Sequence, residues 1–273
     1  NVTDAQGEDE LTDNHFLPSI HLGKSDGEAL LNFVNSHSGV MATFTTGAPQ
    51  KVAGDRLASF SSRGGPLQTL GVSKPDITAP GVQILAGTTP MAATILSGFP
   101  GQLFQSIHGT SMSSPHIAGS AALLKALHPE WTPGQIKSAM MTSAYGGVLK
   151  ENGVDAANAF DTGSGRIDLS KAGSVGLTFD ESAEGYLELE GALWNANYPS
   201  LYVPDFPGRI TVQRTIHNEH NVPRNWKLTV TSPNDVNVIV PKHVQVERNG
   251  YATFEITVDA GTLPQGAVRF AML

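Results

Sequence analysis

The stretch His108 to Gly119, HGTSMSSPHIAG, joins a hydroxyl nucleophile to local structure that could stabilise an oxyanion. The small-residue turn Gly109-Thr110 runs into apolar residues at helical spacing, so Ser111 falls at a predicted helix start. There the first backbone N–H groups lack intrahelical acceptors, and the positive end of the helix dipole collects. A serine that attacks a carbonyl needs an exposed Oγ and N–H donors aimed at the oxygen that becomes negative. The same residues also describe an ordinary capped helix rich in hydroxyls, and a bare Gly-Thr-Ser does not separate the two readings.

The elements that must position this serine read as follows. A short strand is predicted at Leu17–Leu22, then a helix whose capping box would be Ser25 to Glu28 and whose apolar face holds Leu30, Leu31 and Val34. Val40–Thr46 and Gln50–Phe60 carry β-forming residues and end in the loop Ser59 to Gly65. Lys74-Pro75-Asp76-Ile77-Thr78-Ala79-Pro80-Gly81 is a rigid connector whose prolines exclude helix, and it leads to a strand at Val82–Ala86. Ala86–Gly101 reads as a loop and Leu103–Ile107 as a strand feeding the serine turn. The helix from about Ser111 to His128 carries Pro115 near its start, where a missing N–H is cheap, and small residues that suit close packing. Thr132-Pro133-Gly134-Gln135 is a second capping box, and Asp155–Phe160 reads as one more helical turn. From about Tyr186 the pattern changes to short β-rich runs, Arg209–His217, Trp226–Ser232, Val236–Val240, Val244–Glu247 and Ala252–Val258, separated by turn residues. The last run, Ala267–Leu273, suggests a sandwich cut short.

A chain of 273 residues, 40% hydrophobic, has room for about two packed domains. A formal charge of −8 with no block of Lys or Arg argues against a nucleic-acid partner. The absence of cysteine rules out disulfides, cysteine nucleophiles and zinc–thiolate sites, and leaves the compartment open. The polar, acidic stretch Asn1–Asn14 has neither half of a signal peptide, and no run is apolar and long enough to span a bilayer. The chain is therefore expected to begin inside a longer one.

Gly109 to Gly119 resembles, at every position, the serine motif of the subtilisin-like serine proteases, the subtilases. Ala58-Ser59-Phe60-Ser61-Ser62-Arg63-Gly64 and Lys74 to Val82 resemble upstream blocks of that family, and Ala121–Ala144 resembles the two helices after the serine. Asn197-Tyr198-Pro199-Ser200 and the β-rich run beyond it resemble the fibronectin-III-like domain of the plant-type and related bacterial subtilases, which also carry an inserted protease-associated domain. The resemblance implies an α/β fold, the C-terminal part of a subtilisin-like parallel-sheet domain, followed by an all-β fibronectin-III-like sandwich. The implied segments are 1–36, the end of the protease-associated insert; 37–184, the C-terminal part of the catalytic domain; and 185–273, the sandwich. It implies a secreted serine endopeptidase acting on protein or peptide substrates, with Ser111 as nucleophile and the Ser111 N–H as one oxyanion donor. The family's chain order is Asp, His, Ser, so the catalytic Asp and His and the oxyanion Asn are expected upstream of this chain. The chain alone is expected to be inactive and open to non-native self-association. The alternative is a noncatalytic protein- or glycan-binding module from a degenerate protease.

Three local echoes of the missing parts are set aside. His108-Gly109-Thr110 matches the family's His-Gly-Thr block in wording but abuts the serine turn. Asp161-Thr162-Gly163 matches Asp-Thr-Gly but follows the serine, which makes a structural aspartate of it. His116 is five residues past Ser111, about 140° around a helix, and is expected to be packed and to face away. His15, His21, His37, His128, His217, His220 and His243 lack metal-ligand spacing, and no Asp-rich loop suits calcium, so neither metal nor cofactor is expected.

Overall fold

The computed structural model describes residues 19–45, 48, 51, 53–65, 71–91 and 100–273. These fall into two units. The first takes in the described residues up to Ser62, Ala79–His116 and Leu149–Asp155; the second takes in those of Arg63–Thr78, with Ile117–Val148 and Ala156–Leu273.

In the first unit, α1 (Lys24–Ser36) opens at Gly23, which has no side chain to cap it. The expected Ser25 box is therefore not the start of the helix: Ser25 lies one residue inside, past the cap position. No residue of α1 is buried, and Leu30, Leu31, Phe33 and Val34 are 42–50% exposed. The described parts of Leu17–Leu22 and Val40–Thr46 form no strand, contrary to the sequence pattern. Alternation makes a segment compatible with a strand, but a ladder also needs a second segment to take its N–H and C=O groups. Leu17, Pro18 and Thr46 lie outside the described residues. Among the described residues of Gln50–Phe60, which leave out Gln50 and Val52, the pairing is a single parallel bridge, Arg56 with Leu149, flanked by the Leu57 N–H donating to the Leu149 carbonyl and the Leu149 N–H to the Asp55 carbonyl, both at 2.9 Å.

β1 (Ile84–Gly87) pairs antiparallel with β2 (Phe104–Ile107), Ile84 opposite Ile107 and Gly87 opposite Phe104. β1 begins two residues later than the sequence suggested because Gln83, at φ +53°, turns the chain just before it. Two residues after β2 the chain enters α2 (Thr110–Leu127).

The second unit is built on helices with well-made starts. α3 (Pro133–Thr142) has the full capping box: Thr132 Oγ1 accepts from the Gln135 N–H and Gln135 Oε1 from the Thr132 N–H, both at 3.1 Å, with Pro133 at the first helical position. It buries Ile136, Ala139, Met140 and Met141. The turn expected at Asp155–Phe160 is instead α4 (Ala159–Thr162), shifted because Asn158 is its cap and Asp161 closes a box that the sequence reading did not see. α5 (Leu169–Ala172) starts at Asp168, whose carboxylate accepts from the Ser170 N–H. Thr78 and Arg166 form a second isolated parallel bridge; these two bridges are the parallel pairing among the described residues.

The β-rich region has one strand before Tyr186 and resumes only at Arg209. After β3 (Leu177–Thr178) come α6 (Ala183–Glu188), capped by Ser182, and a 3-10 turn at Leu193–Asn195. Then β4 (Arg209–Asn218), β5 (Arg224–Lys227), β6 (Asn237–Ile239), β7 (His243–Val246) and β8 (Tyr251–Asp259) follow. One antiparallel sheet has the order β3-β4-β8-β6, and β5 pairs with β7. Val212, Ile216, Val244, Val246, Phe254 and Ile256 make the core between them, each such side chain contributing about 1.5–3 kcal/mol by leaving water. β5 is shorter than Trp226–Ser232 because its partner β7 offers four residues; Thr231 pairs instead with Met272.

Arg214 occupies a core-facing position of β4 and is 2% exposed. Its guanidinium donates to the carbonyls of Trp194, Asn195, Tyr198, Ser200 and Gln213. Asn197 is fastened to the same strand, accepting from the Thr215 N–H at 2.8 Å and donating to the Thr215 carbonyl at 2.9 Å. The Asn197-Tyr198-Pro199-Ser200 block is thus held by one buried side chain of β4, Arg214, and by the backbone of Thr215.

Candidate active site

Ser111 is the second residue of α2 and is exposed. Among the described residues its hydroxyl has no hydrogen-bond partner. Three contacts shape the turn around it. The Gly109 N–H donates to the Gly81 carbonyl at 2.8 Å, the Met112 N–H to the Gly109 carbonyl at 2.9 Å, and the Ser113 hydroxyl to the Ala79 carbonyl at 2.9 Å. Gly109 has φ +143°, a conformation that L side chains rarely adopt. This lets β2 turn sharply into α2, so that Ser111 follows the turn directly and the Thr110 and Ser111 N–H groups sit at a helix start with no acceptor one turn behind them.

Pro115 is not in the first turn, where its missing N–H would cost little; it is the sixth residue of α2. The helical bond it removes is the one that would end on the Ser111 carbonyl, four residues back. The backbone of Ser111 is therefore less tied to the helix than that of its neighbours.

The histidines nearest in sequence do not serve Ser111. His108 is half-buried with its ring against Phe60, centroids 5.6 Å apart. His116 is not the packed residue expected: it is exposed, and its Nδ1 meets the Met112 carbonyl at 2.7 Å, one turn back along the same helix. Among the described residues no imidazole is hydrogen-bonded to the Ser111 hydroxyl. Asp161 is buried, its carboxylate accepting from the Asn158 N–H at 2.8 Å and lying 3.4 Å from the Arg63 guanidinium. That is the structural aspartate the sequence position implied.

In the second unit, His128 stacks on Trp131 at 3.8 Å and its Nε2 meets the Gly173 carbonyl. His217 pairs with Glu219 at 2.8 Å, and Glu219 also accepts from Trp131, Gln135 and Thr178. No sequence motif announced Glu219, because its donors Thr178, Gln135 and Trp131 lie 41, 84 and 88 residues away. Among the described residues no group of three or more His, Asp and Glu side chains is arranged to hold a metal, and no helix is long and apolar enough to cross a membrane.

Two family models match this chain in tandem, the subtilase family over residues 19–166 and the fibronectin type-III domain over residues 195–273. The chain belongs to the subtilase family, with a fibronectin type-III domain behind the subtilisin-like α/β domain. It is similar to subtilisin-like protease SBT5.4 of Arabidopsis thaliana, 34% identical over 90% of this chain and 36% of that protein. It is also similar to subtilisin-like protease SBT1.7 of the same plant, 37% identical over 72% of this chain and 27% of that one. The chain thus spans about a third of the length of these relatives. The crystal structure of fervidolysin from Fervidobacterium pennivorans, a keratinolytic enzyme related to subtilisin, covers 71% of the chain at 21% identity and a TM-score of 0.29.

Proposed function

We propose that the intact protein is a subtilisin-like serine endopeptidase in which Ser111 is the nucleophile. The observation that carries this reading is an exposed hydroxyl at the start of α2, without a hydrogen-bond partner among the described residues, on a turn fastened to Gly81 and Ala79, in a chain of the subtilase family. In the reaction, Ser111 Oγ bonds to the carbonyl carbon of the scissile peptide while its proton passes to an imidazole. The carbonyl oxygen becomes negative and is held by helix-start N–H groups. The C–N bond then breaks, and the amine leaves with the proton from the imidazolium. Water repeats the sequence on the acyl ester, releasing the acid and restoring Ser111.

The imidazole, its aspartate and a second oxyanion donor, an asparagine, are assigned to residues upstream of this chain. We assign residues 37–184 to the catalytic domain, 185–273 to the sandwich and 1–36 to the end of a protease-associated insert. Protein or peptide substrates, no nucleic acid, and secretion complete the reading; the family membership and the charge of −8 support them.

Replacing Ser111 with Ala in the intact protein is expected to reduce kcat by about 10⁶-fold, as single removal of the serine does in subtilisin. Retention of normal peptide hydrolysis would contradict the assignment. The isolated 273-residue chain is expected neither to hydrolyse peptides nor to react stoichiometrically with a fluorophosphonate, and stoichiometric labelling of Ser111 there would place a base within it.

A further inference from the structure

Ser113, two residues beyond Ser111, does something other than cap its helix. A serine in a first helical turn usually bonds to backbone groups close by in sequence. Here the hydroxyl donates outward, at 2.9 Å, to the carbonyl of Ala79, 34 residues earlier. Two residues before Ser111, the Gly109 N–H donates to the carbonyl of Gly81 at 2.8 Å. The three-residue segment Ala79-Pro80-Gly81 therefore holds the serine turn on both sides of Ser111.

Gly81 lies flat against this joint. A Cβ built on it would overlap Ser113 Oγ and come within 2.9 Å of the Gly109 carbonyl oxygen. Pro80 between the two bonded carbonyls has its φ fixed by its ring, so the spacing of the two anchors is stiff. Because Pro115 leaves the Ser111 carbonyl without its helical bond, the helix itself holds this residue less firmly than the rest of the turn. The anchors at positions −2 and +2 supply what the helix does not.

We propose that Ser113 is a positioning residue: its bond to the Ala79 carbonyl fixes the direction in which the turn presents the Ser111 hydroxyl and N–H. The proposal rests on Ser111 being the nucleophile. Ser113 touches neither substrate nor reacting atoms; it acts by keeping the first turn of α2 seated on the connector. Misplacement of a reacting group by about 1 Å can cost roughly 10²-fold in rate, which sets the scale of what losing an anchor can do.

The test uses the intact protein in four forms, unaltered, Ser113→Ala, Gly81→Ala and the double variant, with kcat, KM, the rate of fluorophosphonate labelling and the melting temperature read for each. Ser113→Ala is expected to lower kcat and the labelling rate together by about tenfold, with KM within about twofold. Gly81→Ala is expected to lower them further, by about a hundredfold. In the double variant part of that loss is recovered, because the Oγ that the new Cβ meets is gone. A merely structural role predicts instead that losses follow the folded fraction, and measuring all forms well below the lowest melting temperature removes that effect. An unchanged kcat in Ser113→Ala, or losses that simply add in the double variant, overturns the proposal. A parallel Ser111→Ala form separates the two claims. If it is unreactive while Ser113→Ala is normal, positioning alone is wrong; if it still labels, the nucleophile assignment falls and the proposal with it.

Discussion

Ser111 owes its setting to residues with no chemistry of their own. Gly109 supplies a backbone angle that side chains resist, Gly81 supplies the absence of a Cβ, and Pro115 withholds an N–H. The serine motif was legible in sequence because a family signature names its types and spacing. The partners of the motif, Ala79 and Gly81, were visible only as a rigid connector, since nothing local tells a connector which turn it meets 30 residues on. His116 shows the converse. Helical geometry correctly turned it away from Ser111, but packing could not be inferred from angle alone, and the residue stands in solvent. Two tyrosines of the second unit give a titration that a reader can check. Burial, then the charges of Asp76 and Glu181, pushes Tyr186 up to about 12; burial, then Tyr186 and Asp76, does the same for Tyr198. In an unfolded chain both would ionise near ~10. The folded state keeps their protons longer, so this contribution to stability is complete below pH ~10 and is lost as pH rises toward 12. Absorbance at 295 nm should therefore show a late-titrating fraction of the five tyrosines, with the melting temperature falling over the same range; a single titration near pH ~10 would contradict the burial of these hydroxyls.

At the scale of elements, a cap written in sequence forms in α3 but not at Ser25 of α1, and a strand forms only where a second segment pairs with it. The α3 capping box was written in Thr132 and Gln135 and is present in full. Thr132→Ala is expected to destabilise the second unit by about 1 kcal/mol, read as a shift of the denaturant midpoint with unchanged slope; a shift below a few tenths would mean that the cap is redundant. β4 and β8 were found within one residue at either end because their alternation coincides with a partner strand, and each is long enough for the pattern to show. The described parts of Leu17–Leu22 and Val40–Thr46 have the composition of strands without a partner among the described residues. Arg214 was invisible for a related reason: a charged residue at a core-facing strand position reads as an error of register until the five carbonyls around its guanidinium are seen.

For the molecule as a whole, the two units differ in how completely their apolar faces are covered. The sandwich in the second unit has a continuous core, whereas α1 in the first buries nothing; within the second unit α2 also leaves Leu123 and Leu127 63% and 61% exposed. Apolar surface of that kind favours contact with any complementary face. The isolated chain is accordingly expected to self-associate at micromolar concentration, and light scattering that reports a stable monomer would show these faces to be covered by another route. In the intact protein the proposed chemistry rests on one atom, the Ser111 hydroxyl oxygen. Treating the intact protein with a fluorophosphonate and mapping the adduct by mass spectrometry tests it most directly. The predicted result is one adduct, on Ser111, abolished by Ser111→Ala; an adduct on another residue, or undiminished labelling of the Ala variant, would contradict it.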